Sequence, residues 1–189
     1  MNPARLPVLV TVAAVATFLV ACGHKIGDEC NIASDCEQDG TRVCDNFSSG
    51  GYCTIQGCDF GTCPSEATCV RFFPGLENAQ SCKNPDGNPD QSLCTSDQIC
   101  TVLSECAPRS IEQRFCMATC SSDGDCRDGY ECRHVGNVHG GEPVPDPNDN
   151  SATVPNVSFC ASRRSCSLDT DCETGEHCDI TNTKVCLPN

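Results

Sequence analysis

The cysteines of this chain are too numerous and too regularly spaced for a conventional globular domain. The 189 residues include 21 cysteines, about 11% of the chain, which is typical of a disulfide scaffold. Leu, Ile, Val and Phe make up only about 16% of residues 23–189, too few for a highly charged chain to fold on apolar burial alone. We therefore expect covalent cross-links in place of a large hydrophobic core, formed in an oxidising compartment.

Twenty of the cysteines fall into five units of four. The units are Cys30, Cys36, Cys44, Cys53; Cys58, Cys63, Cys69, Cys82; Cys94, Cys100, Cys106, Cys116; Cys120, Cys126, Cys132, Cys160; and Cys166, Cys172, Cys178, Cys186. The first two gaps of a unit are mostly five residues long, whereas the third gap runs from 7 to 27 residues. The first three cysteines therefore indicate a fixed frame, and the third-to-fourth segment a variable loop.

The letters between the cysteines repeat as well. The segments that begin at Cys120 and Cys166 both read C-S-x-D-x-D-C-x-x-G-x-x-C, and Asp35 precedes the second cysteine of the first unit. This frame resembles the Dickkopf N-terminal cysteine-rich repeat, and similar repeats occur in tandem on bacterial surface lipoproteins. The resemblance extends from Cys30 to Cys186. It implies small disulfide-linked modules, and no receptor activity is carried over with it.

We predict a small disulfide-rich fold of five tandem four-cysteine modules with little regular secondary structure. Two disulfides in a unit allow three pairings. We favour first-to-third and second-to-fourth, because interleaved loops would pin the frame against the variable segment. Short hairpins and turns should supply the regular structure, with a hairpin around Ser48–Tyr52 and a helical turn at Asp97–Ser104.

The N-terminus has the layout of an export signal. One charged residue, Arg5, precedes an uncharged, mostly apolar stretch that ends at Ala21, and this stretch is short for a membrane span. The tetrapeptide Leu19-Val20-Ala21-Cys22 resembles the lipobox of bacterial lipoproteins. In that family the signal is cut before the cysteine, whose thiol and new amine are then acylated. The alternative is an ordinary signal peptide with Cys22 as a disulfide partner. Parity favours lipidation, because removing Cys22 leaves an even number of cysteines.

These features predict a location and a set of domain boundaries. In the Gram-negative lipoproteins that this N-terminus resembles, an Asp after the lipidated cysteine favours retention in the inner membrane. Gly23 at that position therefore implies the outer membrane. We expect the membrane, through the lipid on Cys22, and an unknown protein or glycan as partners. A net charge of -14 argues against nucleic acid and anionic lipid. The predicted segments are a signal peptide at 1–21, a lipidated tether at 22–29, units at 30–53 and 58–82, a linker at 83–93, and units at 94–116, 120–160 and 166–186, with a flexible surface loop at 135–157.

Calcium is the candidate metal. Asp123, Asp125, Asp169 and Asp171 flank two of the cysteines, and acidic loops suit Ca²⁺. The alternative interpretation is that these side chains bond local backbone amides and form turns. Zinc is not indicated, since the chain has no C-x-x-C pair. The sequence likewise shows no catalytic motif, and we expect no enzyme activity and no cofactor.

Three functions fit the sequence. The first is a lipid-anchored envelope protein whose modules act as a spacer or an interaction surface, with recognition on the variable loops. The second is a protease or toxin inhibitor that presents Arg163-Arg164 or Pro143–Pro147 as bait. The third is a calcium-dependent adhesin module. An apolar patch at 72–76 either contacts a partner or covers the neighbouring disulfides.

Overall fold

Short antiparallel strands and disulfides make up most of the ordered architecture. The computed structural model describes residues 24–76, 79–135, 140–149, 154–172 and 175–189. The predicted signal peptide and lipidation site at Cys22 lie outside these ranges. Within them the chain forms one α-helix of four residues and eleven strands of two to six residues. The predicted small disulfide-rich fold with little regular structure is confirmed.

The secondary structure follows the cysteines. Helix α1 is Ala33–Cys36, and the strands are β1 (Val43–Cys44), β2 (Cys53–Thr54), β3 (Ala67–Phe72), β4 (Gln98–Cys100), β5 (Cys106–Pro108), β6 (Gln113–Ala118), β7 (Tyr130–Arg133), β8 (Glu142–Pro143), β9 (Phe159–Ser162), β10 (Glu176–Cys178) and β11 (Cys186–Pro188). The pairs β1–β2, β4–β5, β7–β9 and β10–β11 form two-stranded ribbons, and β6, β3 and β8 form a three-stranded sheet in that order. Across the described ranges, no helix has the length and apolar character that a membrane span requires.

Ten disulfides join all twenty cysteines from Cys30 to Cys186. The predicted first-to-third pairing is confirmed in each predicted unit, as Cys30–Cys44, Cys58–Cys69, Cys94–Cys106, Cys120–Cys132 and Cys166–Cys178. The predicted second-to-fourth pairing is confirmed in three of them, as Cys36–Cys53, Cys126–Cys160 and Cys172–Cys186.

The two remaining disulfides group the middle cysteines differently from the prediction. Cys63 bonds to Cys116, which lies 53 residues further along, and Cys82 bonds to Cys100. A host module (Cys58, Cys63, Cys69, Cys116) therefore contains a nested module (Cys82, Cys94, Cys100, Cys106) inside its variable loop. This corrects the predicted membership of Cys82 and Cys116, and with it the linker predicted at 83–93. The prediction was wrong because Cys94, Cys100 and Cys106 are each separated by five residues. This spacing fits the first three cysteines of a module, which is how the prediction assigned them.

The nested module has the same internal geometry as the others. Cys100 and Cys106 face each other across β4 and β5, as the third and fourth cysteines do in every other module. The N–H of Cys82 donates to the carbonyl of Ser104 at 2.8 Å, two residues before the fourth cysteine. The first cysteines of the fourth module (120–160) and fifth module (166–186) make the equivalent bond. The helical turn predicted at Asp97–Ser104 is replaced by strand β4 and a tight turn.

The first module (30–53), the host module and the fourth module share one apolar cluster. Its buried members are Ile26, Tyr52, Cys58, Cys69, Val70, Cys116, Met117, Tyr130, Val144, Phe159 and Ala161. Tyr52 of the first module stacks on Tyr130 of the fourth, with ring centroids 5.4 Å apart. The three modules therefore form one body. The core is small, and disulfide cysteines fill part of it.

The described parts of two segments, the predicted tether and the predicted flexible loop, pack into the body. In the predicted tether, Ile26 is buried in the apolar cluster, and the N–H of Gly27 donates to the carbonyl of Cys53 at 2.9 Å. In the predicted flexible loop at 135–157, Glu142 and Pro143 form the edge strand β8 and are buried together with Val144. A sheet edge tolerates proline because a proline there need not donate to the ladder. The predicted hairpin around Ser48–Tyr52 is confirmed as β1–β2.

Candidate recognition groove

A groove opens where the variable loops of the first, host and fourth modules meet. Its volume is about 330 Å³. The first module contributes Asp45, Ser48 and Tyr52, the host module Phe72, Phe73, Pro74, Gln113 and Phe115, and the fourth module Arg133 and Gly140. All ten lie between the third and fourth cysteines of their modules. The remaining lining residues, Thr54, Met117, Ala161 and Ser162, follow a fourth cysteine by one or two positions. We call this site the aromatic groove.

The floor of the aromatic groove is one face of the β3–β6 pair. Successive side chains of a strand point to opposite faces of the sheet. Phe72 of β3 therefore lies on the same face as Phe115 and Met117 of β6. Cys69 and Cys116, which lie opposite each other in the register, fall on the other face, where each forms a disulfide. The alternation thus separates the cross-linked side of the sheet from the side that lines the groove.

Phe72 is held between two other rings. Its centroid lies 6.2 Å from that of Phe115, and the ring of Phe159 meets it edge-on at 6.1 Å. Gly141 approaches the same rings so closely that a Cβ there would lie 2.6 Å from Phe72 and 2.8 Å from Phe159. The backbone of the fourth module's loop therefore packs directly against the aromatic floor, and a larger residue at Gly141 would displace it.

The apolar patch predicted at 72–76 is divided between the core and the groove. Phe72 packs against the apolar cluster, and Phe73 is half-buried with the Arg71 guanidinium 6.0 Å from its ring centroid. Pro74 and Gly75 are exposed. Because Phe72, Phe73 and Pro74 all line the groove, the patch presents apolar surface to solvent at a concave site.

The rim of the groove is polar and fixed in place. The Arg133 side chain donates from Nε to Glu131 at 2.8 Å and from a terminal nitrogen to the carbonyl of Ser162 at 2.6 Å. Asp45, which also lines the groove, accepts from the Ser48 hydroxyl at 2.8 Å. The groove therefore combines an aromatic floor with a preorganised polar border, which is the usual composition of a ligand site.

Tyr52, which lines the groove, also fixes the first module to the other two. Its hydroxyl accepts from the N–H of Ala118 at 2.9 Å and donates to the carbonyl of Cys160 at 3.3 Å. Burial raises the pKa of the phenol well above its usual range, so it stays protonated. Arg127 of the fourth module lies 4.2 Å from the ring centroid of Tyr130 and donates to the carbonyl of Ser49 at 2.8 Å. These contacts join the first and fourth modules.

A buried ion pair ties the host, nested and fourth modules together. Glu142 on β8 and Arg71 on β3 lie opposite each other in the register, and the Arg71 Nε donates to the Glu142 carboxylate at 2.7 Å. The side chains are 3% and 6% exposed, respectively. The second Glu142 oxygen accepts from the N–H of Val102 in the nested module at 2.7 Å.

The candidate calcium residues bond to the protein itself. Asp125 accepts from the N–H groups of Ser121 and Ser122, and Asp171 accepts in the same way one module later. These bonds hold the pKa of both carboxyls below its usual range. Asp123 and Asp169 each accept from the N–H of the third cysteine of their module, and Asp123 also pairs with Arg163 at 2.7 Å. The alternative role of these acids in turn formation is therefore observed directly.

Parts of both segments suggested as protease bait are buried or bonded to the body. The Arg164 side chain is 6% exposed and lies between Glu131 of the fourth module and Glu176 of the fifth, at 3.6 and 3.1 Å. Arg163 is held by Asp123, and Pro143 is buried in β8. Pro145 and Asp146 are half-buried, and Pro147 is exposed.

Cysteine clusters offer no thiolate ligands. In the described ranges, the groups of three metal-ligating residues within reach of one another consist of disulfide-bonded cysteines.

Of the residues that line the aromatic groove, the sequence indicated Phe72, Phe73 and Pro74 as an apolar patch but did not indicate Asp45, Gln113 and Arg133. Their position in variable loops was the one available signal, since no motif marks them.

Comparison of the chain with protein-family models, curated proteins and solved structures found no match.

Proposed function

We propose that this protein is a non-enzymatic, lipid-anchored binding protein of the cell envelope. The observation that carries the proposal is the cysteine inventory. Ten disulfides use twenty of the 21 cysteines, and the remaining one is Cys22, which stands in the lipobox sequence. Gly23 supports placement in the outer membrane of a Gram-negative cell.

The aromatic groove supports binding as the role of the anchored body. Three variable loops contribute to one concave surface, in the manner of recognition loops carried on a rigid scaffold. A floor of phenylalanines with a polar rim fits a ligand that has an apolar face and peripheral hydrogen-bonding groups. Both a protein segment and a glycan have that chemistry. The shared core of three modules favours a binding body over an extended spacer.

Mass spectrometry of the mature protein, purified from membranes, tests the anchoring. We expect an N-terminal peptide that begins at Cys22, carries two or three acyl chains and is accompanied by no free thiol. A Cys22→Ser variant should stay unprocessed, whereas a paired Cys172→Ser and Cys186→Ser variant should still be lipidated. An unmodified peptide that extends upstream of Cys22 would refute the anchoring.

Site-specific photo-crosslinking in the producing cells tests the groove. A photoreactive phenylalanine analogue at Phe73 should yield a discrete adduct, because this side chain lines the groove. The same analogue at Ile180, an exposed position in the fifth module, serves as the control. Equal adducts at both positions, or none at Phe73, would contradict recognition at the groove.

A further inference from the structure

The start of the folded body lies next to the predicted anchor. The carbonyl of His24 accepts from Arg42 of the first module. The N–H of Lys25 donates to the Asp28 side chain at 2.7 Å, and the Asp28 carbonyl accepts from the N–H of Cys53 at 2.9 Å. One residue, Gly23, separates Cys22 from His24. Two consecutive Cα–Cα steps span at most about 7 Å. Cys22 therefore cannot lie far from His24.

A polar cleft surrounds this point of attachment. It measures about 580 Å³, and its charged lining includes Lys25, Asp28, Glu29, Glu66 and Arg127. We call it the N-terminal cleft. The lining presents both signs of charge, and the side chains of Lys25 and Glu29 are exposed. Because phospholipid headgroups begin where the acyl chains of an anchored cysteine end, this cleft is the part of the body nearest to them.

We propose that the mature protein lies directly on the lipid leaflet, with the N-terminal cleft against zwitterionic phospholipid headgroups. The inference rests on the proposed lipidation of Cys22. A net charge of -14 opposes approach to an anionic surface, whereas the cleft offers the Lys25 ammonium for headgroup phosphate and carboxylates for the positively charged headgroup nitrogen. Because so few residues join the lipidated cysteine to the cleft, docking of the cleft on the leaflet is intramolecular, with an effective concentration of roughly millimolar or above. Weak contacts with the headgroups are therefore enough to keep the body docked.

The three lysines of the mature chain allow a test within one molecule. Lys25, Lys83 and Lys184 are all exposed, and the last two lie in the nested and fifth modules. The lipidated protein is reconstituted in phosphatidylcholine vesicles and treated with a membrane-impermeant amine-acylating reagent. If about nine molecules in ten are docked, labelling of Lys25 should fall roughly tenfold relative to the unlipidated chain, because only the undocked fraction reacts. Lys83 and Lys184 should be labelled at unchanged rates.

A spacer variant separates docking from mere proximity to lipid. Ten Gly and Ser residues inserted between Gly23 and His24 should return Lys25 to the rate of Lys184. Equal labelling of Lys25 and Lys184 without the spacer would overturn the proposal, as would protection of Lys25 that persists with it. If Cys22 proves unmodified in cells, the proposed function fails by itself. Coupling the Cys22 thiol to a maleimide lipid would then still test the docked face.

Discussion

Gly51 closes the first module at a point where the chain leaves no space for a side chain. Its φ is +69°, and a Cβ there would lie 1.9 Å from the carbonyl oxygen of Cys30. A left-handed conformation alone costs an L-residue about 1–2 kcal/mol. We expect Gly51→Ala to destabilise the protein by more than this in denaturant unfolding. Gly57→Ala is the matched control, since Gly57 has φ +74° and open space around its Cα. Equal losses for the two variants would contradict the close approach.

Three aspartates make the free energy of unfolding depend on pH. Two backbone N–H groups donate to each of Asp35, Asp125 and Asp171, and these bonds lower the pKa of each carboxyl below its usual value of about 3.9. A carboxyl whose pKa is lower in the folded state than in the unfolded state stabilises the protein at a pH above its unfolded-state pKa. This stabilisation is lost as the pH falls through the folded-state pKa. The free energy of unfolding should therefore decrease below about pH 4.

Unfolding measured at pH 3 and pH 6 tests this dependence. Asp171→Asn should reduce stability at pH 6 and shrink the difference between the two pH values, because the amide does not titrate. Asp86→Asn, which removes an exposed carboxylate of the nested module, serves as the matched control. An Asp171→Asn variant with the full pH dependence would show that these turns do not depend on the carboxylate charge.

At the scale of the elements, the disulfides differ in the length of chain that they close. Cys63–Cys116 closes 53 residues and Cys172–Cys186 closes 14. Loop-closure entropy assigns them about 4 and about 3 kcal/mol of stabilisation, respectively. Replacing Cys63 and Cys116 by Ser should therefore cost more and loosen the shared core, because Cys116 is fully buried. Replacing Cys172 and Cys186 should expose only the fifth module to limited proteolysis. The reverse order would contradict the nested architecture.

Cysteine spacing predicted most of this architecture and failed where two frames fit equally well. Cys94, Cys100 and Cys106 are separated by equal gaps. By spacing they could therefore be the first three cysteines of a module or its last three. The structure distinguishes the two frames by the turn after the second cysteine. The N–H of Gln98 bonds to the carbonyl of Thr95, as Tyr130 bonds to Arg127 after its second cysteine. The Ser-Asp pair after Cys94 does not decide between the two frames in the sequence, because the same pair follows the first cysteine Cys120 at the same spacing.

The aromatic groove was less predictable, because it depends on which modules touch. The apolar run at Phe72–Phe73 was visible in the sequence, but a proline-rich loop gives no indication that Glu142 and Pro143 will pair with β3. An edge strand of two residues has no periodicity to detect. Tyr52 and Tyr130, which join the first and fourth modules, are the two tyrosines of the chain, and no local pattern pairs them.

For the whole molecule, the buried Arg71–Glu142 pair is the test of how the modules hold together. Removing one partner of a buried pair leaves an uncompensated charge, so we expect Glu142→Gln to cost about 3 kcal/mol or more. It should also release the fourth module's loop from β3, as seen by hydrogen exchange of Val102 and Val144. Asp59→Asn is the control, because Asp59 is an exposed partner of Arg114 and should cost less than about 1 kcal/mol. Similar costs would mean that the buried pair does not join the modules.

The central claim is that one module is nested inside another, which brings three variable loops to one groove. A tryptic digest of the unfolded, unreduced chain tests it directly, because peptide 72–83 carries a single cysteine, Cys82. We predict that this peptide is released bound only to peptide 84–109 through Cys100. If peptide 72–83 is instead recovered bonded to peptide 43–71 through Cys63, the modules follow one another in sequence. That result would contradict the nested arrangement.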